Sequence, residues 1–169
     1  MVFGRSKKEV FRLDVERVWK KVKGWKEKFL SRAGKEVLIK VVAQAIPTYI
    51  MSCYRIPENV CKEIESMLEK FWWGSKEGER KIHWLKWERM ANSKRDGGIG
   101  FRGIHDFNIS LLGKQFWRLL QADGSLMERF FKGRYYPRCS IADTGTGFNP
   151  SYAWRSILSL RELVLNGAR

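Results

Sequence analysis

Apolar residues recur at alternating intervals of four and three positions near the start of the chain, which is the spacing of one face of an α-helix. Lys20 and Lys23 fall opposite this apolar stripe. The pattern therefore predicts a helix that points its cations outward and its aromatic side chains inward. The stripe consists of Phe11, Val15, Val18, Val22, Trp25 and Phe29.

Two further helices are predicted in the next part of the chain. Ser31 is a candidate N-cap for the second helix, because its hydroxyl can accept a hydrogen bond from a free backbone N–H. Pro47 should interrupt that helix, since proline lacks an N–H and clashes with the preceding turn. Pro57 suits the first turn of the third helix. The second helix would carry Val37, Leu38, Val41, Val42 and Ile46, and the third Val60, Ile64, Met67 or Leu68, and Phe71.

Turn signals dominate the middle of the chain. Residues 74–78 read as a polar turn, and residues 81–90 fit either a short strand or the start of a helix. The Asp-Gly-Gly sequence at 96–98 predicts a turn before a short extended segment at 99–101.

The C-terminal half predicts further helices around one long loop. Asp106 and Ser125 are candidate N-caps, and residues 133–150 are rich in Gly, Pro, Ser and Thr, which predicts a loop. A last helix is expected over residues 151–165, closed by Gly167. The apolar positions of these helices are Phe107, Leu111, Leu112, Phe116, Leu119 and Leu120; Leu126, Phe130 and Phe131; and Trp154, Ile157, Leu158 and Leu160.

The chain is predicted to be mainly α-helical. Residues 1–74 form an N-terminal helical bundle, and residues 75–169 form a looser helical region with a long loop. Its 169 residues, of which 44% are hydrophobic and 14% aromatic, suffice for a buried core.

The charge of the chain favours polyanionic partners. It carries 33 Lys and Arg against 18 Asp and Glu, a formal net charge of +15. Residues 1–40 hold 13 of the basic and 5 of the acidic residues, so the N-terminal quarter is the better candidate for a polyanion-binding face. The alternative is that these cations only solvate helices or pair with acids four residues away, as Glu16 and Lys20 could.

Cysteine and histidine usage predicts neither disulfides nor a metal site. Cys53, Cys61 and Cys139 are scattered, and His83 and His105 have no ligand spacing to them. No apolar stretch is long enough to span a bilayer, and no secretory signal is apparent at the start. We expect an intracellular protein without a cofactor or membrane contact, and the sequence leaves nucleus and mitochondrion open.

Several motifs resemble, in order, the segment that follows the polymerase palm in plant LINE-type (non-LTR) retrotransposon reverse transcriptases. The resemblance covers nearly the whole chain and extends to short reverse-transcriptase-related reading frames of plant nuclear and mitochondrial genomes. The motifs are WKEKFLSRAGKEVLIK at 25–40, IPTYIMSCY at 46–54, FWWG at 71–74, KIHW at 81–84, DGGIGF at 96–101, RYYP at 134–137 and SYAWRSI at 151–157.

This resemblance implies that residues 1–74 are thumb-like and that residues 75–169 are a helical connection region. A thumb clamps the template-primer duplex through cations that contact phosphates, without reading sequence. The implied partner is the backbone of RNA or of an RNA/DNA duplex, with self-association or binding to a polymerase palm as further possibilities. The candidate contacts are Lys7, Lys8, Lys20, Lys23, Lys28, Arg32, Lys35 and Lys40.

The residues predict no catalysis. A reverse transcriptase needs paired metal-binding aspartates, and the chain has no Asp-Asp pair. Neither the carboxylate set of a ribonuclease H nor a GxSxG or phosphate-loop motif can be assembled. We therefore expect a non-catalytic remnant with residual nucleic-acid binding. The alternative is a protein–protein interaction module, possibly organellar, that uses an exposed apolar helix stripe.

The eight tryptophans divide into expected core and expected surface residues. Aromatic residues at helical spacing are usually core, whereas Trp84 and Trp87, which alternate with lysines, could stack on unpaired bases. Trp19 lies at the edge of the first stripe and is expected to be exposed. The tryptophans expected in the core are Trp25, Trp72, Trp117 and Trp154.

Overall fold

A computed structural model describes residues 7–26, 30–74 and 82–167, with side chains from Phe11 to Trp25 in the first segment. The described residues are mainly helical and contain no β-strand, which confirms the predicted fold class. The α-helices are α1 Lys7–Lys26, α2 Arg32–Val37, α3 Thr48–Cys53, α4 Glu58–Trp73, α5 Trp87–Ala91, α6 Ile104–Leu120, α7 Leu126–Tyr135, α8 Tyr152–Leu158 and α9 Arg161–Gly167.

The chain divides into two compact units, and each is built from two sequence segments. Unit 1 comprises residues 1–48 and 56–107, and unit 2 comprises residues 49–55 and 108–169. The predicted division after residue 74 falls inside unit 1. Compact units follow contacts in space, whereas the sequence-based division followed the chain.

The predicted stripe of α1 forms part of the core of unit 1. Phe11, Val18 and Val22 are buried, and α1 packs against α4. The ring of Trp25 at the end of α1 lies 5.6 Å from that of Phe71 in α4. The 4-3-4 spacing of both helices therefore predicted their packing faces correctly, and Phe29 lies outside the described residues.

The second helix begins as predicted but differs from the prediction after one and a half turns. The Ser31 hydroxyl accepts a hydrogen bond from the Gly34 N–H at 3.1 Å, which confirms the N-cap. From Leu38 to Ala43 the backbone is a π-helical turn, which holds more residues per turn than an α-helix and so shifts the buried face. Within this turn Ile39 and Ala43 are buried and Val41 is exposed, and Val37, the last residue of α2, is exposed as well.

The prolines and glycines of unit 1 mark helix ends. Pro47 stands in the turn between the π-helical segment and α3, as predicted, and Pro57 is the N-cap of α4, one residue before its first turn. Gly74 ends α4 in the left-handed conformation with φ of +70°, and residues 75–81 lie outside the described part. The ambiguous segment 81–90 ends in the helix α5, and Gly97, with φ of +76°, forms the predicted turn.

Trp154 is the centre of the core of unit 2. Its side chain is fully buried and stacks on Tyr135, with ring centroids 4.7 Å apart and an interplanar angle of 2°. The rings of Phe131 and Tyr136 lie 5.5 and 5.6 Å away. Stacked aromatic rings of this kind bury a large apolar area around one residue. This confirms the prediction that Trp154 belongs to the core.

Helix ends in the C-terminal half differ from the prediction in three places. Asp106 is not an N-cap, because α6 already begins at Ile104. The predicted last helix consists of α8 and α9, separated at Ser159 and Leu160, and α7 extends to Tyr135, into the predicted loop. The Ser125 N-cap is confirmed, since its hydroxyl accepts from the Glu128 N–H at 3.2 Å.

Trp117 corrects the expectation for the tryptophans, because its side chain is 40% exposed although it was expected in the core. Trp117 lies on α6 next to the buried Phe116, one position away from the face that α6 packs inward. Trp25 and Trp72 are partly buried, and the ring of Trp72 packs edge-on against Phe101 at 5.3 Å.

Candidate nucleic-acid interface

The outward face of α1 carries several exposed positive charges. The helix contains eight Lys and Arg and three acidic residues, a net charge of +5 over 20 residues. Burial of the apolar stripe fixes the rotation of the helix, and the described residues between the stripe positions are exposed, apart from Asp14 and Glu16. The exposed cations with described side chains are Arg12, Arg17, Lys20, Lys21 and Lys23.

Two of these cations are neutralised by acids of the same helix. The Arg12 Nε lies 3.1 Å from the Glu16 carboxylate, and the Arg17 guanidinium lies 3.3 Å from the Asp14 carboxylate. Asp14 is buried, and this burial raises its pKa, while the nearby positive charge of Arg17 lowers it. Both arginines are therefore partly committed to partners within α1.

Among the described side chains of α1, Lys20, Lys21 and Lys23 are the cations without an acidic partner in that helix. None of the three makes a salt bridge with a carboxylate in the described part of the chain. The Lys23 ammonium lies 4.7 Å from the ring centroid of Trp19, whose side chain is 45% exposed, as predicted. A cation over an exposed indole combines phosphate attraction with a surface on which a base can stack.

Arg32 belongs to the same set of exposed cations, and it stands at the first position of α2. The N-terminus of a helix carries a partial positive charge, which adds to that of a side chain placed there. Of the predicted contacts with described side chains, Lys20, Lys23 and Arg32 are thus accessible to a polyanion.

Lys35 is directed into unit 1 instead. Its ammonium donates to the Trp72 carbonyl oxygen at 3.3 Å and lies 5.7 Å from the ring centroid of Phe71. The Trp72 carbonyl belongs to the last turn of α4, where backbone oxygens have no partner within the helix. Lys35 therefore supplies a C-terminal cap to α4.

Lys40 is also held by internal contacts. Its ammonium lies 2.7 Å from the Glu36 carboxylate and 2.8 Å from the Ile99 carbonyl oxygen, above the ring of Phe101. Two of its three donors are used within the protein. Lys40 thus connects the π-helical turn to the segment that precedes α6.

The remaining predicted contacts lie partly or wholly outside the described residues. Lys7 and Lys8 stand in the first turn of α1, where the backbone is described but their side chains are not, and Lys28 lies outside the described residues altogether. Lys21 was missed by the sequence-based prediction. Its position at the border of the stripe, next to Val22, gives no clear signal, since Asp14 stands next to Val15 in the same way and is buried.

The apolar stripe that was predicted as an alternative protein-binding surface is not accessible. Phe11, Val18 and Val22 are 2%, 0% and 4% exposed because they pack against α4 and the π-helical turn. A partner protein cannot reach these side chains without opening unit 1.

The two tryptophans that alternate with lysines have different environments. Trp84 is 76% exposed, whereas Trp87 is buried and stacks on Phe101 with ring centroids 5.1 Å apart. The neighbouring His83 has its Nδ1 3.2 Å from the Glu69 carboxylate. Only the first of the two indoles is thus available for stacking.

Other chemistry is limited in the described part of the chain. There, no group of three or more His, Cys, Asp or Glu side chains is arranged to hold a metal ion. Burial raises the pKa of the Cys61 thiol to about 12, so this cysteine stays protonated near neutral pH. Among the described helices, none is both long and apolar enough to cross a membrane.

Comparison with known proteins gives two related sequences. No protein-family model matches the chain, and no solved structure gives a significant match. An uncharacterized mitochondrial protein of Arabidopsis thaliana is 44% identical over 73% of this chain, which covers 80% of that protein. A protein of the same plant named "Putative ribonuclease H protein" is 32% identical over 96% of this chain, which spans 27% of its length.

These relatives are consistent with a retrotransposon-related region in a plant context. The alignment with the mitochondrial protein covers most of both sequences, and 44% of the aligned residues are identical. The second contains a region that corresponds to nearly all of this chain within a much longer protein. The chain belongs to the family of the mitochondrial Arabidopsis protein.

Proposed function

We propose that the chain is the thumb and connection region of a LINE-type retrotransposon reverse transcriptase, retained as a non-catalytic remnant. In this proposal it binds the backbone of RNA or RNA/DNA duplexes without reading sequence. The order of the motifs along the chain supports this origin. The match of nearly the whole chain to part of a longer protein named for ribonuclease H supports it further.

The observation that carries the binding function is the cluster of Lys20, Lys21 and Lys23 on the outer face of α1. Their ammonium groups have no described carboxylate partner, and Trp19 lies beside them. Phosphate groups would replace the counterions that such a face attracts, and release of counterions from the nucleic acid drives the binding. This mechanism gives affinity without sequence selectivity, because every nucleotide has the same phosphate.

The experiment measures the affinity of the full chain for an RNA/DNA duplex by fluorescence anisotropy at several salt concentrations. Changing Lys20, Lys21 and Lys23 together to Gln should weaken binding and reduce the slope of log K against log salt. The expected reduction is about 0.9 for each phosphate that the variant no longer neutralises, taking the value for duplex DNA.

A matched control removes three exposed cations of unit 1 that lie outside α1, by changing Lys70, Lys86 and Arg95 to Gln. The two variants have the same net charge, so a difference between them reports the position of the charge. Equal slopes for the two variants would show that α1 is not the binding face. Primer extension by the purified chain would contradict the non-catalytic part of the proposal.

We further propose that the protein acts in the mitochondrion. The support is the description of the 44% identical relative as a mitochondrial protein. Fractionation of cells that produce the full-length tagged chain tests this, and recovery of the protein with nuclei and not with mitochondria would oppose it.

A further inference from the structure

One face of α7 in unit 2 exposes apolar and cationic side chains together. We call this face the α7 stripe, and its members follow the spacing i, i+3, i+4, i+7 and i+8 that places residues on one side of a helix. Leu126 is 81% exposed and Phe130 is 61% exposed, although both are apolar. The α7 stripe consists of Leu126, Arg129, Phe130, Gly133 and Arg134, all of them solvent-exposed.

The opposite face of α7 already supplies the contacts that hold the helix in unit 2. Phe131 is buried in the core around Trp154, and Met127 and Tyr135 pack against the same core. Leu126 and Phe130 therefore take no part in the core of unit 2. They are one turn apart, so their side chains adjoin on the surface of the helix, and adjoining exposed apolar side chains are the kind of surface that a partner can cover.

Gly133 leaves one position of the α7 stripe without a side chain. A Cβ added to Gly133 would meet no atom within 4 Å, so the fold of the chain does not require glycine at this position. Glycine also weakens a helix relative to alanine. The helix surface beside Phe130 is therefore open at Gly133, and a partner backbone could come close there.

The charge of the α7 stripe specifies the chemistry of the partner. Arg129 and Arg134 lie on it, and the stripe itself has no acidic member. Glu128, the one acidic residue of α7, is buried on the other side, where its carboxylate lies 3.7 Å from the Lys132 ammonium. The guanidinium of Arg134 lies over the Tyr135 ring at 5.5 Å, which restricts its orientation.

We propose that the α7 stripe binds an acidic amphipathic helix of another protein. Leu126 and Phe130 contact its apolar side chains, Arg129 and Arg134 pair with its carboxylates, and Gly133 admits its backbone. Aromatic residues and arginine are the residue types that contribute most to such interfaces. The proposed site lies within unit 2 and is independent of nucleic-acid binding by α1.

Two other occupants fit the stripe less well. A second copy of this chain would bring one arginine pair against another between two molecules that each carry a net charge of +15. A nucleic acid would satisfy the arginines, but an aliphatic side chain such as Leu126 cannot stack on a base and gains little from a phosphate.

The experiment uses the full chain and three synthetic peptides of equal length. The first is helical with Leu and Glu at helical spacing, the second replaces each Glu by Lys, and the third scrambles the order of the first. Isothermal titration calorimetry should detect binding of the first peptide alone. Leu126→Ser with Phe130→Ser, and separately Arg129→Glu with Arg134→Glu, should each weaken this binding at least about tenfold.

The charge-reversed variant should in turn bind the Lys peptide, which a structural defect could not produce. Gly133→Ala should raise the melting temperature of the free chain, because alanine favours the helix more than glycine does. The same change should weaken peptide binding, because the added methyl group keeps the backbone of the peptide away. Val41→Ser with Arg95→Glu changes exposed residues of unit 1 and should leave binding unchanged.

Equal affinity for the Glu and Lys peptides, or no binding of the Glu peptide, would overturn the proposal. It would also be overturned if the stripe variants lost binding to duplex RNA or to phosphatidylserine vesicles, or lost self-association in sedimentation, while peptide binding stayed unchanged.

Discussion

The Lys40 ammonium donates a hydrogen bond to the Ile99 carbonyl oxygen at 2.8 Å, although the two residues are 59 positions apart in the sequence. The same ammonium pairs with Glu36 at 2.7 Å. The Glu36 carboxylate also pairs with Lys94, which lies in the segment before α6 and whose ammonium is 2.9 Å away. The bond from Lys40 to Ile99 and the pair of Lys94 with Glu36 thus join the π-helical turn and α2 to the segment before α6.

Replacing Lys40 by Met should destabilise unit 1. The change removes the bond to Ile99 and the pair with Glu36, and it leaves a partly buried carbonyl without its donor. We expect a loss of roughly 1–3 kcal/mol in the free energy of unfolding, the range for a hydrogen bond to a charged group or for an unsatisfied buried polar group. Urea unfolding followed by circular dichroism measures this loss.

Lys94→Met is the matched control, since it removes a pair with the same carboxylate from a lysine that is 68% exposed. Exposed pairs contribute about 1 kcal/mol or less. Equal losses for the two variants would mean that the bond to Ile99 does not stabilise the fold. Affinity for duplex nucleic acid should change little in the Lys40 variant, because its ammonium is directed inward.

Asn108 makes a similar long-range connection in unit 2, where it joins the short segment 49–55 to α6. Its side-chain amide donates to the carbonyl oxygens of Met51 at 2.7 Å and Tyr54 at 2.9 Å. These oxygens lie at and just beyond the C-terminal end of α3, where the helix itself supplies no donor.

Asn108→Ala should therefore cost roughly 2–4 kcal/mol, because two carbonyl groups lose a donor at a site that excludes water. Asn59→Ala, at an exposed position of α4, should change stability by less than about 0.5 kcal/mol. Thermal and urea unfolding of both variants test the difference. A small effect at Asn108 would indicate that water replaces its amide.

Sequence periodicity predicted the faces of α1 and α4 because both are regular α-helices, in which a stripe of three- and four-residue steps stays on one side. It failed from Leu38 to Ala43, because a π-helical turn changes the number of residues per turn and no residue type in that segment signals it. Val41 in this turn is exposed, as is Val37 at the end of α2. Serine N-caps were predictable, since their hydrogen bonds are made to residues three positions away.

Some environments of the candidate nucleic-acid contacts could be predicted from the sequence, and others could not. Lys20 and Lys23 were predictable as exposed residues, because their positions depend only on the rotation of α1. Lys35 and Lys40 were not, since their partners Trp72 and Ile99 lie far along the chain. The exposure of a cation opposite an apolar stripe can be predicted from the sequence. The burial of a cation that bonds to a residue distant in the sequence cannot.

Trp154 and Trp117 allow a direct comparison, because both were expected in the core and one of them is exposed. Trp154→Ala should cost about 3–5 kcal/mol, the range for removing a buried large aromatic side chain. Trp117→Ala should cost much less, since 40% of that side chain already contacts water. Urea unfolding followed by far-ultraviolet circular dichroism avoids reliance on tryptophan fluorescence. Similar losses would show that Trp117 makes equally important contacts.

Glu65 should make the stability of unit 1 depend on pH. Its carboxylate accepts the Ile104 N–H at 2.7 Å at the start of α6. Burial raises the pKa of Glu65 above its ordinary value of 4.5, and the bond from Ile104 only partly opposes this. The folded protein therefore holds the proton at pH values where the unfolded chain has released it, so this contribution to stability falls as the pH rises from about 4.5 through the raised pKa.

Glu65→Gln removes this titration while keeping an oxygen that can accept the Ile104 N–H. The difference in unfolding free energy between the wild type and this variant should thus become less favourable to the wild type as the pH rises through that window. Glu63→Gln, at an exposed position of the same helix, controls for the loss of a negative charge. A difference that stays constant would show that the Ile104 N–H stabilises the Glu65 carboxylate as much as burial destabilises it, and a change in favour of the wild type would show that it stabilises it more.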